Sequence, residues 1–299
     1  MKNLTSIAIA IGFVLILASC QKEEKIVHEE LIVQGNQAPD YNGISSVLIK
    51  NYVNKVYIDL LGIEAAASEA DSLVAFLKEN SLSAEARKEV IGALTKYQEY
   101  HDRLFQISTD LFLNGMSMDE IDKVHTEYAA VRDLFYQQGD TFSAQFIGFE
   151  VKKLEAVLNA PQEYQKGDID LNEYYRRLSY NLIYDEINMG SDNFVISCFE
   201  NLFKRKPTES EKETGVNMVD GISTQVLRKE GRTKADFLDI VTQDIEFYQG
   251  RVLDAFRTYL QRDPSSSEMG EATASYVETN DYSELQISIL ITDEYAGFK

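Results

Sequence analysis

Tryptophan is absent from this 299-residue chain, proline occurs four times, histidine three times and cysteine twice. Two cysteines cannot build a disulfide framework. So little proline favours long uninterrupted helices over a loop-rich β-sandwich. His28, His101 and His125 show none of the H-x-x-E, H-x-x-x-H or H-E-x-x-H spacings that ligate metals. No G-x-S-x-G, P-loop or Rossmann glycine pattern occurs. No catalytic residue, metal site or cofactor is therefore assigned. Without tryptophan the best stacking platform for sugars is missing. Tyr174, Tyr175, Tyr180 and Tyr184 could substitute along one expected helix, with Tyr180 and Tyr184 sharing a face, but packing between helices is the preferred reading. Positive charge is also short. Lys and Arg number 29 against 49 Asp and Glu, a net charge of −20. Such a field repels phosphate backbones, which argues against nucleic-acid partners. At 44% hydrophobic and 26% charged residues, the chain has the composition of a globular protein.

The N-terminus carries the sharpest signal. Lys2 precedes an apolar run, Ile7 to Leu17, of eleven residues, the length of a signal-peptide core and too short to cross a bilayer. It ends in Leu17-Ala18-Ser19-Cys20, which resembles a bacterial lipobox. The resemblance implies lipid attachment at Cys20 and cleavage before it. Two or more acyl chains anchor stably, at ~0.8 kcal/mol per buried CH₂. Gln21-Lys22-Glu23-Glu24 then resembles the export signal that sends Bacteroidetes lipoproteins to the outer face of the outer membrane. The covalent lipid is the only attached group this implies.

Residues 20–44 mix charge, Gly, Asn and Pro39 and are expected to form a tether. From Ser45 onward the periodicity is helical. Ser117-Met118-Asp119-Glu120 is a capping box, followed by Ile121, Val124, Tyr128, Val131 and Leu134 at helical spacing. Further helices are expected over 142–158, ending before Pro161, and over 170–189. Ile287 to Ile291 has strand composition inside a helix-length segment. Cys198, between Val195 and Phe199, reads as a buried small hydrophobe. The carboxylates Asp110, Asp119, Glu120 and Asp122 read as a solvated face, since no calcium-loop pattern accompanies them.

Three segments share a pattern: Leu60 to Glu69, Leu202 to Glu211 and Tyr259 to Glu268. Apolar helix faces precede them, namely Val53, Val56 and Tyr57, then Val195 and Phe199, then Val252 and Phe256. Each is expected to lead into two more helices, closing on Tyr97, Phe247 and Tyr295 respectively. In the second and third copies a basic residue, Arg205 or Arg262, is followed by Pro207 or Pro264, which stops the first helix. Thr208 with Glu211, and Ser265 with Glu268, are capping boxes that start the next. The first copy has Ala65 and Ala66 instead, so its cap is weaker by about 1 kcal/mol. The later copies resemble the L-x-R-x-P-[ST]-x-x-E repeat of bacterial surface proteins, akin to phycobilisome linker domains. The start of the first copy resembles a domain found beside cytochromes in planctomycete surface proteins, although no haem-attachment motif occurs here. These resemblances imply helix packing with a scaffolding or binding role.

The expectation is an all-α chain of stacked helical hairpins with three divergent repeats. Residues 1–19 are the signal peptide, 20–44 the lipidated tether, 45–165 an N-terminal helical region and 166–299 a C-terminal one. The expected role is a non-catalytic binding or scaffold component on the cell surface. It would be held to the outer membrane by lipid, with a protein partner there. The alternatives are a carboxylate-using hydrolase of extracellular polymer and a ligand-capture lipoprotein.

Overall fold

The computed structural model describes residues 43–298. Cys20 and the Gln21 to Glu24 segment lie outside the described residues.

The fold is all-α. In chain order the helices are α1 (Ser46–Leu61), α2 (Ala67–Glu79), α3 (Ala84–Leu94), α4 (Gln98–Phe112), α5 (Met118–Gln137), α6 (Thr141–Lys166), α7 (Leu171–Ser179), α8 (Leu182–Ile187), α9 (Ser191–Phe203), α10 (Glu209–Val219), α11 (Lys234–Thr242), α12 (Ile245–Leu260), α13 (Ser266–Thr279), α14 (Tyr282–Leu290) and α15 (Asp293–Ala296). Between α10 and α11, β1 (Thr224–Val226) pairs antiparallel with β2 (Lys229–Gly231). The turn residues Leu227 and Arg228 both take positive φ, 48° and 67°. A two-residue hairpin needs that geometry, and Asn-Gly or Asp-Gly normally advertises it. Here neither is present, so the hairpin has no sequence signal.

Two apolar cores form, and they do not follow chain order. One gathers residues from Leu104 to Phe247. The other joins α1–α3 and Tyr100 to the C-terminal residues from Val252 to Ala296. Long-range bonds close it: the Tyr52 hydroxyl donates to the Leu290 carbonyl (3.2 Å) and the Tyr295 hydroxyl to Asp59 (2.7 Å). The helix α12 runs through both, placing Phe247 in the first core and Val252, Ala255, Phe256 and Tyr259 in the second.

Four local expectations are corrected. First, α6 continues through Pro161 to Lys166 and stops at Gly167, whose φ is 76°. Burial of Val151, Leu154, Val157 and Ala160 outweighs one missing N–H. Second, 170–189 is two helices. The Asn181 side chain donates to the carbonyls of Arg177 and Leu178 (3.0 and 2.9 Å) and accepts from the N–H groups of Ile183 and Tyr184 (3.0 and 3.1 Å). One buried amide thus caps the end of α7 and the start of α8. Tyr180 therefore does not share a helix with Tyr184. Third, Val131 and Leu134 are exposed, because α5 fully buries only Ile121. Fourth, the aromatic that closes the first segment is Tyr100. It is buried three residues after the N-cap of α4, as Phe247 and Tyr295 are in α12 and α15, whereas Tyr97 is itself the cap and is exposed. The segment Ile287 to Ile291 is helical through Leu290.

Candidate functional site

The sequence-assigned turn residues come together twice. After α9, Lys204 adopts φ 59° and ends the helix; after α12, Gln261 does the same at 56°. Arg205 then clamps Glu211 through both Nη atoms (2.8 and 2.7 Å) and Glu246 through Nε and Nη2 (2.5 and 2.9 Å). Arg262 repeats the arrangement on Glu268 (2.9 and 2.6 Å) and Glu294 (2.7 and 2.8 Å). Glu211 and Glu268 also accept from the backbone N–H of Thr208 and Ser265, completing the capping boxes. Hydrogen bonding from the arginines, then from the caps, pulls both carboxyls down to about 2. Each arginine therefore ties the start of one helix to the start of the second helix after it, α10 to α12 and α13 to α15. Pro207 and Pro264 lie in the turns ahead of the caps. Sequence reasoning missed Glu246 and Glu294, which lie 41 and 32 residues beyond Arg205 and Arg262 and show no motif until the helices pack. In the first copy Ile63 stands in place of arginine, Ala66 makes no side-chain cap, and Glu69 accepts from the Tyr97 hydroxyl (3.2 Å) instead.

A cleft of about 420 Å³ brings together Asp59, Arg103, Asp110, Lys204, Arg251 and Asp254, with Tyr100, Tyr175, Tyr259 and Tyr282. Its cations are engaged internally. Asp254 binds Lys204 (2.9 Å) and Arg251 (3.3 Å). Arg251, 2% exposed, donates to the carbonyls of Asn201 and Leu202 at the end of α9 (2.8 and 3.2 Å) and stacks over Tyr175 and Phe247. Burial lowers the Lys204 ammonium and raises the Asp59 carboxyl, the latter against a hydrogen bond from Tyr295. Tyr100 donates to Gln286, which donates to Tyr259 (both 2.6 Å). The cleft is thus a largely paired polar seam with an aromatic lining, in which the buried Nε atoms of Arg103 and Arg251 have no hydrogen-bond partner.

The remaining residues with reactive side chains are dispersed. His101 is edge-on to Tyr100 and Tyr164, and burial lowers its basicity. Asp102 accepts from Gln98 (2.8 Å). His125 Nδ1 lies 3.9 Å from the Asp122 carboxylate, one turn earlier on α5. Cys198 is fully buried, 3.8 Å from the Tyr184 hydroxyl, and burial pushes its thiol up to about 12. Tyr174, Tyr175 and Tyr184 are core residues. Among the described residues, no group of His, Cys, Asp and Glu could hold a metal ion.

The conspicuous surface is elsewhere. The hairpin α5–α6 turns at Gly139, with Asp140 as N-cap of α6. On α6, Phe142, Phe146 and Phe149 fall at i, i+4 and i+7, on one face. They are 80%, 62% and 63% exposed. Farther along α6 this face meets a depression of about 280 Å³ lined by Phe149, Lys152, Lys153, Ala156, Glu173, Arg176, Arg177 and Tyr180, where Lys153 pairs with Glu150, Arg176 with Asp239, and Arg177 with Glu163 and Glu173. The Lys153 ammonium and the Arg176 guanidinium lie over the Tyr180 ring, at 4.3 and 5.4 Å. The charge pattern alone gave no notice of this, because the four cations come from two helices.

No protein-family model, curated protein or solved structure matches the chain. No helix of the described residues is long and apolar enough to cross a membrane.

Proposed function

We propose that this chain is a surface lipoprotein, anchored through lipid on Cys20, that works without catalysis as a binding or scaffold component of an outer-membrane assembly. The observation that carries the reading is the exposed Phe142, Phe146 and Phe149 stripe. Three phenylalanines on one helix face expose about 400 Å² of ring surface, the size of patch that marks interaction sites. The lipobox and the Gln21 to Glu24 segment support the address. The matching partners of Arg205 and Arg262 support a helical repeat as the scaffold's building unit.

The test has two arms. Cys20→Ala should release the protein from the membrane fraction, and alanines at Lys22, Glu23 and Glu24 should hide it from protease added to intact cells. Mild crosslinking on those cells, followed by tag purification, should recover a stoichiometric partner that Phe142→Ser with Phe146→Ser removes. Recovery unchanged by those substitutions would sink the role of the stripe. Ligand capture is the second reading, favoured by the tyrosine-lined cleft. It predicts saturable binding of a small ligand that Tyr259→Phe weakens.

A further inference from the structure

In the second and third copies a guanidinium sits between two carboxylates and over an aromatic ring. Arg205 binds Glu211 and Glu246 and lies 5.1 Å from the centre of the Phe199 ring. Arg262 binds Glu268 and Glu294 and lies 5.3 Å from that of Phe256. In both, the ring stands six residues before the arginine. One carboxylate is third in the next helix, and the other is second in the second helix after that.

The first copy has the same surroundings without the arginine. Tyr57 is buried near the end of α1, six residues before Ile63. Gly62 ends α1 at φ 71°, as Lys204 and Gln261 end α9 and α12. Glu69 is third in α2 and Glu99 second in α4. Neither carboxylate has an ion-pair partner among the described residues. Burial, then Glu69 and Glu99, raise the Tyr97 hydroxyl, so both carboxylates lie about that oxygen. The Tyr57 hydroxyl is buried beside Glu69 with no hydrogen-bond partner. Ile63 is half exposed and its side chain has no donor. Arg103 packs on Gly62 but bonds Gln106 instead (2.8 Å). The helix dipole favours acidic residues at such helix starts, but it does not place an aromatic ring with them.

We propose that Glu69 and Glu99, with the Tyr57 ring, form a socket for a guanidinium supplied by an exposed arginine of a partner protein. The planar fork of arginine can bind both carboxylates and stack on the ring, which an ammonium cannot do. The Tyr57 hydroxyl, which neither phenylalanine has, can accept one further N–H. Glu99, Ile63 and Tyr97 are exposed, so a side chain projecting from another protein reaches the socket at the surface. A net charge of −20 draws a partner surface of the opposite sign. The existence of a protein partner rests on the scaffold reading; the socket itself stands apart from the phenylalanine stripe.

The experiment is saturation-transfer NMR on the detergent-solubilised full chain at low salt, with Nα-acetylarginine amide as probe. The probe should bind saturably, about tenfold more tightly than the matching lysine amide, and the neutral citrulline amide should not bind. Glu69→Gln with Glu99→Gln should weaken the probe by a similar factor. Ile63→Arg supplies the cation in cis, as the other copies do. It should abolish probe binding and raise Tm, which a folding defect would not do. In intact cells the same substitution should cut recovery of the crosslinked partner. Equal binding of the arginine and lysine amides would overturn the socket, as would binding that Ile63→Arg leaves intact. A partner recovered with no probe binding would overturn the socket and keep the scaffold reading. Probe binding with partner recovery indifferent to Ile63→Arg would overturn the partner's arginine and assign the socket to small guanidinium compounds. Probe binding with no partner recovered even from the parent chain would overturn the partner's arginine together with the scaffold reading.

Discussion

Gly250 packs against the end of α9 so closely that a Cβ there would lie 2.3 Å from the Leu202 carbonyl oxygen. The same carbonyl accepts from Arg251, and Phe203 Cα is 3.2 Å from the same hypothetical Cβ. The two helices therefore meet backbone to backbone, and the missing side chain is what lets α12 cross the point where α9 stops. Gly250→Ala puts a methyl group against backbone atoms held by the Arg251 bond. The expected loss is about 1–3 kcal/mol, the usual cost of overpacking, and it should exceed the small helix-propensity gain of alanine. Urea unfolding gives the number. A midpoint equal to or above that of the parent chain would show that the crossing is looser than described.

The arginine clamps make stability depend on acid pH. Glu211 and Glu268 sit at about 2, chiefly because Arg205 and Arg262 bond their ionised forms. An unfolded glutamate titrates near 4.3. Between those values the unfolded chain binds more protons than the folded one, so stability rises with pH across this window. The stabilisation is complete above it and lost as pH falls toward 2. For the partly buried Glu211 it is on the order of 1–2 kcal/mol after solvent screening. Urea unfolding at pH 6, 4 and 3 should show the slope, and Glu211→Gln with Glu268→Gln should flatten it. An unchanged slope in the double variant would place the acid sensitivity elsewhere.

What the sequence disclosed and what it hid follow a physical line. Helical periodicity and the capping boxes at Ser117, Thr208 and Ser265 act within four residues, so they were legible. The break at Asn181 was hidden because its amide serves two helices at once, and no periodicity marks it. The continuation through Pro161 was hidden because packing decided it. At the candidate surface each phenylalanine was visible as an apolar helix position. Its exposure was not, because that depends on how little of the body reaches the hairpin tip. The cations of the depression come from α6 and α7, which only the fold brings together.

Cys198 should behave as core. It is fully buried and its thiol is pushed up to about 12 by desolvation, so almost no thiolate exists at neutral pH. Native protein should leave a thiol-reactive dye untouched for hours at pH 8, while denaturant should release the thiol at once. Fast labelling without denaturant would mean that α9 opens locally at low cost.

Ala66 offers a gain of stability. It occupies the N-cap of α2 at φ −59°, ψ 140° with no side-chain acceptor, where Thr208 and Ser265 cap α10 and α13. Glu69 already stands at the third helical position, so Ala66→Ser would supply the other half of a capping box. Glu69 now accepts from the exposed Tyr97 hydroxyl at 3.2 Å, a contact that water can replace. The expected stabilisation is about 1 kcal/mol, or roughly 2–4 °C in Tm for a body of this size. Ala66→Gly should give less, because it supplies the cap conformation without the acceptor. Thermal unfolding by circular dichroism ranks the three chains. A serine variant that melts no higher than the glycine variant would show that Glu69 stays with Tyr97 and that the first turn cannot close as the other two do.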